Sequence, residues 1–471
     1  MNSSRRLSST RDAAVVFNQA SMSSKRGSSS VSPARRAAFD ILRRVEQEGA
    51  YASTLIAALH ESNLSREDRA LAQEIALGVL RWQRALDYFI ELYSNRSIER
   101  IDLSVLIALR MGLYQLRHLT RIPQSAAVNE SVNLVKRVRV ASAARMVNAV
   151  LRNAARNLSD KAGEREADPI EKLSIGTSHP RWLIERWIEW LGPEETREIA
   201  LANNSPPSVA FRVNTLRADV GEAIKQLQSQ GASVRASELV PGAVAVESGA
   251  WVIADAAERG LVYIQDEASQ LVSLLLDARS GERVLDMCAA PGSKSSHIAA
   301  LTRGEAWVVA CDIHPHRLAT LAATCRRLGI ESVDAVAMDA TREWPMVKEA
   351  LRFDRVLIDA PCTGTGTLRR NPEIKWRLAP DDPARLAEVQ LSLLTRATDA
   401  VRSGGRLVYS TCSLEREENE RVITRFIESG APFRVIEPDA HPDLITGDGF
   451  VRTFPHRHAM DGFFAAVLER L

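Results

Sequence analysis

The chain has 471 residues, enough for two or three domains, with 45% hydrophobic and 25% charged residues, the balance of a globular protein with a large core. Its net charge of +2 excludes a chain that is polycationic throughout, so any nucleic-acid surface must be a local patch. The lack of any run of about 20 apolar residues excludes a membrane-spanning helix, and five scattered cysteines exclude a disulfide framework and favour a reducing cytoplasm.

The first 32 residues are rich in Ser and Arg, with Asp12 the only acid. A transit peptide shares this composition, as does a disordered tail or a stretch upstream of a true start at Met22; the last two are favoured. From Pro33 to about Arg165 the pattern is helical throughout. Ala37, Phe39, Ile41, Leu42 and Val45 recur at three-to-four spacing, as do Leu71, Ile75, Val79 and Leu80, and Leu103, Leu106, Ile107, Leu109 and Leu113. Residues 33–165 are therefore expected to form a compact all-α domain. Toward its end, Lys136, Arg137, Arg139, Arg145, Arg152 and Arg156 face the lone Glu130, a lopsided balance that fits a phosphate-contacting surface.

Residues 166–255 are expected to hold a polar linker, an amphipathic helix from His179 to Trp190, and a small β-α-β unit around Phe211–Thr215 and Val220–Gln230. From 256 onward short apolar runs alternate with helical stretches: 283–288, 307–311, 333–338, 355–359, 406–411, 434–437 and 463–468. This order predicts a mostly parallel α/β sheet, with the last run as an antiparallel edge strand.

The key stretch is Val284-Leu-Asp-Met-Cys-Ala-Ala-Pro-Gly-Ser-Lys294. It reads as buried strand, tight turn at Pro291 and Gly292, then helix N-terminus, a place suited to carboxylate or phosphate. Two nucleotide motifs fail on the letters. Ser293 separates Gly292 from Lys294, which breaks the Walker A pattern, and a single glycine cannot supply G-x-G-x-x-G. What fits is the sequel: Asp312 follows the second run, about 20 residues on, where a doubly wound sheet holds a ribose diol. Asp339 and Asp359 end two further runs. Any one aspartate is as well explained by capping a turn, but Asp286, Asp312, Asp339 and Asp359 in register point to a ligand at the carboxyl ends of the strands.

Cys362, in Asp359-Ala-Pro-Cys362, and Cys412, in Ser410-Thr-Cys412, each fall just past a strand's end. Cys311 and Cys325 read as small buried hydrophobes, and Cys288, inside the loop, is ambiguous. No C-x-x-C, and no His pair at ligand spacing, supports a metal site. A redox disulfide lacks its motif, which leaves a thiolate nucleophile as the sharpest reading.

Two resemblances add to this. Ala34-Arg-Arg-Ala-Ala-Phe-Asp-Ile-Leu-Arg-Arg-Val, Gly78-Val-Leu-Arg-Trp and Val147-Asn-Ala-Val-Leu-Arg-Asn153 resemble the NusB-like RNA-binding domain over residues 33 to 160. The motifs at 288–294, 359–366, 369–376 (Arg-Arg-Asn-Pro-Glu-Ile-Lys-Trp) and 409–414 resemble the RNA cytosine-carbon-5 methyltransferases of the RsmB type, from about 170 to 471. That resemblance implies a Rossmann-like class I methyltransferase domain over 256–471. It implies S-adenosylmethionine as cofactor, held by Cys288, Ala289, Ala290, Pro291, Gly292, Ser293 and Lys294 with Asp312, Asp339 and Asp359. By the same resemblance Cys412 adds to carbon-6 of cytosine and Cys362 helps release the product. Asp359 would hold the base edge, and Lys294 would supply positive charge that favours a thiolate. The partner implied is 16S ribosomal RNA, met by a monomer before subunit assembly is complete.

Arg369-Arg370 and Lys375-Trp-Arg377 form a basic stretch with one aromatic, expected to meet RNA phosphate and a stacked base. The target base must be flipped out to react. Rival readings are the same chemistry on transfer RNA, less readily on DNA, and a NusB-like RNA-binding factor with an inert methyltransferase half. Intact Lys294, Asp359, Cys362 and Cys412 speak against the inert reading.

Overall fold

The computed structural model describes residues 31–342 and 352–471. Of the expected tail, residues 1–30 lie outside the described residues, and its last two positions belong to the fold. Val31 is buried, and the Ser32 N–H donates to Glu130 at 2.9 Å.

Helices from Pro33–Glu48 to Ala144–Arg156 build the front of the molecule. Local chemistry sets their ends. Pro33 occupies the first turn, where a missing N–H costs nothing, and Gly49 closes the helix in the left-handed region. Ser65 caps Arg66–Arg81 through the Asp68 N–H, and Asp102 caps Leu103–His118 through Ser104 and Val105. The predicted apolar stripes meet in one core containing Leu42, Ile75, Leu80, Ile107 and Leu151. Helices Pro169–Gly176, Arg181–Leu191 and Pro193–Asn203 follow. The latter two pack Leu183, Ile184, Trp187 and Ile199 against Leu368, Leu414 and Phe454 of the C-terminal part.

A small antiparallel sheet comes next: β1 (Val209–Val213), β2 (Ser233–Ala236), β3 (Ala243–Ser248) and β4 (Val262–Ile264), in the order β2-β3-β1-β4. With helices Val220–Ser229 and Ala250–Glu258 the chain order is β-α-β-β-α-β, the ferredoxin-like arrangement. The expected end at 255 cuts this unit short. Residue 255 lies inside its second helix, and its fourth strand follows at 262. Three residues paired only with β1 are too few to show a period in sequence.

The C-terminal sheet holds β5 (Arg283–Asp286), β6 (Trp307–Asp312), β7 (Val333–Ala337), β8 (Phe353–Asp359), β9 (Val401–Thr411), β10 (Phe433–Val435), β11 (Val451–Arg452) and β12 (Phe464–Arg470). Their order is β10-β12-β9-β8-β5-β6-β7, with β11 on β12. The run β9-β8-β5-β6-β7 is parallel, so the loops after those strands open on one edge of the sheet. Two expectations change here. β12 is antiparallel but interior, lying between β9 and β10. β7, whose apolar run suits a buried strand, is one of the two edges of the sheet, and most of its side chains are exposed. An apolar run shows that a strand can be buried, while sheet order decides whether it is.

Candidate active site

Arg283 to Asp286 forms a central strand, and the loop after it is pinned by backbone to both neighbours. The Met287 N–H donates to the Leu357 carbonyl at 2.9 Å and the Ala289 N–H to that of Cys311 at 2.7 Å. Gly292 then turns the chain at φ 102°, where a Cβ would lie 2.8 Å from Leu321, so glycine is required twice over. Helix Ser293–Leu301 starts there. Asp286 is fully buried, and Oδ2 accepts from Ser295 Oγ at 2.6 Å. Burial pushes its carboxyl up to about 7, against the hydrogen bond from Ser295.

The first turn of that helix delivers Lys294 to Asp359 at the end of β8, with Nζ 2.6 Å from Oδ2. Ser410 Oγ, on β9, donates to the other carboxylate oxygen at 2.9 Å. The Lys294 ammonium is buried and stands 5.4 Å from the Phe463 ring centroid. Burial disfavours its charge, yet the pairing with Asp359 outweighs this and its pKa is raised.

Cys362 and Cys412 follow β8 and β9, which are adjacent and parallel. Their sulfurs are 3.3 Å apart. The hydrogen bond with Cys412, together with burial, pushes the Cys362 thiol well up. Close packing holds the two loops in place: the Gly366 N–H donates to the Cys412 carbonyl at 2.9 Å, and a Cβ at Gly366 would sit 1.9 Å from the Gly462 carbonyl oxygen.

One cavity of about 350 Å³ gathers most of these groups: Cys288, Ala290, Asp312, Asp339, Asp359, Cys362 and Cys412 all line it, with Met287, Met338 and Leu393 among its apolar walls. Ala289, Pro291, Gly292, Ser293 and Lys294 do not line it. Ala289 faces a core cluster instead, Gly292 shapes the turn, and Lys294 reaches the site through Asp359. Asp312 accepts from the His314 N–H at 2.8 Å, and Arg317 stands 3.6 Å from its second oxygen. Asp339 accepts from Thr341 and Arg342, and these bonds, that of Thr341 first, hold its carboxyl below the usual range.

The domain architecture agrees with what the chain is similar to. Residues 273–469 match the family described as 16S rRNA methyltransferase RsmB/F, residues 32–156 the NusB family, and residues 179–252 the RsmF/B-like ferredoxin-like domain. A probable ribosomal RNA small subunit methyltransferase B of Bacillus subtilis (strain 168) is 37% identical, covering 93% of this chain and 98% of the relative. The chain belongs to the RsmB/F family of methyltransferases. A Synechocystis relative with the same description is 36% identical over 93% of this chain and 99% of its own. Among solved structures, one titled PH0851 superposes with a TM-score of 0.80 at 28% identity, covering 94% of this chain and 99% of that one. A methyltransferase homolog from Pyrococcus horikoshii covers 64% of this chain and 100% of its own, with a TM-score of 0.57 at 28% identity.

The structure reassigns one basic stretch of this family member. Residues 369–377 do not form an open RNA surface; most of their charged groups are spent within the protein. Arg370 pairs with Asp266 and Asp461, each at 2.6 Å. Lys375, only 1% exposed, donates to the Arg81 carbonyl at 2.8 Å, and Trp376 Nε1 to that of Leu80 at 2.6 Å. Arg377 donates to the Ala50 carbonyl at 2.5 Å. The stretch clamps the methyltransferase part onto the NusB-like part. Basic spacing in a sequence reads the same whether its acceptors are phosphates or carbonyls. By contrast Lys136, Arg137, Arg139, Arg145, Arg152 and Arg156 are all exposed.

Sequence reasoning also missed Glu418, which is buried and receives hydrogen bonds from the residues that follow both cysteines. Nothing in the spacing of Glu417-Glu418-Asn419-Glu420 separates the buried acid from its neighbours.

Proposed function

We propose that the chain methylates carbon-5 of a cytosine in small-subunit ribosomal RNA, using S-adenosylmethionine and a covalent cysteine–carbon-6 adduct. The observation that carries this reading is the pair of thiols 3.3 Å apart at a cavity that also contains Asp312 and Asp359.

The residues present fit the cofactor. Asp312 offers a carboxylate at the end of the second parallel strand, where a ribose diol is held in such sheets. Met287, Met338 and Leu393 give apolar walls, and about 350 Å³ is the scale of a small-ligand site. When bound, S-adenosylmethionine supplies an electrophilic methyl group.

Carbon-5 of cytosine is too weak a nucleophile to take that methyl unaided. Addition of the Cys412 thiolate at carbon-6 makes the ring enamine-like and carbon-5 nucleophilic. Asp359, held between Lys294 and Ser410, is the group positioned to hydrogen-bond the base edge as the ring gains electron density. After methyl transfer the carbon-5 proton leaves, the sulfur–carbon-6 bond breaks, and Cys362 assists that release.

The test separates the two thiols. Cys412→Ala should abolish methylation and form no adduct. Cys362→Ala should accumulate enzyme bonded to RNA, seen on a denaturing gel as a shifted band that survives heating in detergent. Adduct in Cys412→Ala instead would reverse the roles and overturn the assignment. Bisulfite sequencing of ribosomal and transfer RNA from a deletion strain identifies the substrate, and an unchanged ribosomal pattern would overturn that part of the reading.

A further inference from the structure

We infer that Glu418 is a positioning residue: its carboxylate fixes the distance between Cys362 and Cys412, and through that distance the turnover of the covalent adduct. The inference rests on the cysteine reading above and adds a residue to it. Glu418 is fully buried, and both of its oxygens are used. Oε1 accepts from the Thr363 N–H at 2.8 Å and from Gln390 Nε2 at 3.1 Å. Oε2 accepts from Thr363 Oγ1 and from Ser413 Oγ. Thr363 directly follows Cys362, and Ser413 directly follows Cys412. One carboxyl group therefore binds the residue next to each thiol.

The surrounding bonds make this a brace rather than a chance contact. Gln390, which donates to Glu418, also donates to the Pro361 carbonyl at 2.9 Å, just before Cys362. Tyr409 Oη donates to the Glu418 carbonyl at 2.5 Å, which ties the acid's own backbone to β9. Next in the chain, Asn419 accepts from Thr411 Oγ1 and donates to the Ser413 carbonyl at 2.9 Å. Among the described residues no cation pairs with Glu418. Burial raises its carboxyl to about 6, opposed by the hydrogen bonds from Ser413 and Thr363. A buried acid without a counter-ion is costly to keep, and an apolar residue of similar volume would pack there with less penalty. What that residue would lose is the fork that holds both loops at once.

The experiment reads thiol spacing apart from RNA chemistry. Treated with diamide, the two thiols of Cys362 and Cys412 lose two electrons and two protons to the diazene and join as a disulfide, quantified by peptide mass spectrometry. That reaction needs the sulfurs already in register, so Glu418→Ala should slow it about tenfold or more. Turnover on RNA should fall about 100-fold, as expected for a displacement near 1 Å, with S-adenosylmethionine affinity by calorimetry held within about twofold. Glu418→Gln keeps the acceptor for the Thr363 N–H and offers an amide to the two hydroxyls, so it should restore most of both rates. Should Glu418→Ala fail to fold, Thr363→Val and Ser413→Ala each remove one loop's hydroxyl from Oε2, the Thr363 N–H bond remaining in the former, and should each slow disulfide formation. A wild-type disulfide rate in Glu418→Ala, or in both single-loop variants, would overturn the proposal. So would a slowed disulfide with unchanged turnover. Methylation surviving in Cys412→Ala would instead bring down the cysteine reading, and the disulfide rates would still report on the brace.

Discussion

Lys375 Nζ donates to the carbonyl of Arg81 across 294 positions of sequence. Arg81 ends helix Arg66–Arg81, so its carbonyl is one of those a helix leaves without an internal partner. Trp376 takes the carbonyl of Leu80 in the same turn. At the opposite polarity, Glu373 accepts the N–H of Ala52, the first residue of helix Ala52–Ala57, at 2.9 Å. One short segment beside the thiol loops thus caps two helices of the NusB-like part.

Replacing that lysine tests the clamp. Lys375→Met keeps the stem and removes the donor, which leaves a buried carbonyl unsatisfied at a cost of about 1–3 kcal/mol. The urea midpoint should fall, and limited proteolysis should cut between the NusB-like and methyltransferase parts sooner than in the wild type. An unchanged midpoint would mean that water replaces the ammonium.

Asp312→Ala should weaken S-adenosylmethionine binding about tenfold or more, the effect of losing a charge-assisted hydrogen-bond acceptor. Its partners His314 and Arg317 are local, so the thermal midpoint without ligand should barely move. Calorimetric titration reads the affinity, and an unchanged value would count against the ligand site at the strand ends.

The exposed cations Arg145, Arg152 and Arg156 should contact RNA phosphate. Changing all three to Gln should flatten the slope of log affinity against log salt by about 2–3, while the affinity for S-adenosylmethionine stays as it was. Filter binding across a salt series makes the measurement. A slope that does not change would make this a merely solvated face.

Asp286 gives a pH-dependent prediction. Its carboxyl ionises near 3.8 in the unfolded chain and is pushed up to about 7 in the fold by burial. Between those values the folded state holds a proton that the unfolded state has lost, so this group's contribution to stability declines as pH rises. The slope is about 1.4 kcal/mol per pH unit. Asp286→Asn lacks that term. Denaturation from pH 4.5 to 8 should show the variant gaining on the wild type until about pH 7 and then running parallel. Parallel lines throughout would mean that the carboxylate is ionised in the fold.

The sequence by itself was enough for the helical front, the parallel strands and the loop at 288–294. These rest on local periodicity, on glycine at Gly292, and on acids such as Asp312 and Asp359 at strand ends, all of which act within a few residues. It also singled out Cys362 and Cys412 by their place after neighbouring strands, and the fold brings their sulfurs to 3.3 Å. Only the tertiary structure decided where longer-range groups go. Lys375 reads as a cation for RNA until the Arg81 carbonyl is seen beside it. Glu418 is one of four acids between Glu415 and Glu420, distinguished only by the loops packed around it. β4 and β12 took their places from sheet pairing, which no local pattern encodes. A side chain's polarity is written in its letter, whereas the partner that satisfies it is set by the fold, 55 positions away for Glu418 and Thr363 and 294 for Lys375 and Arg81.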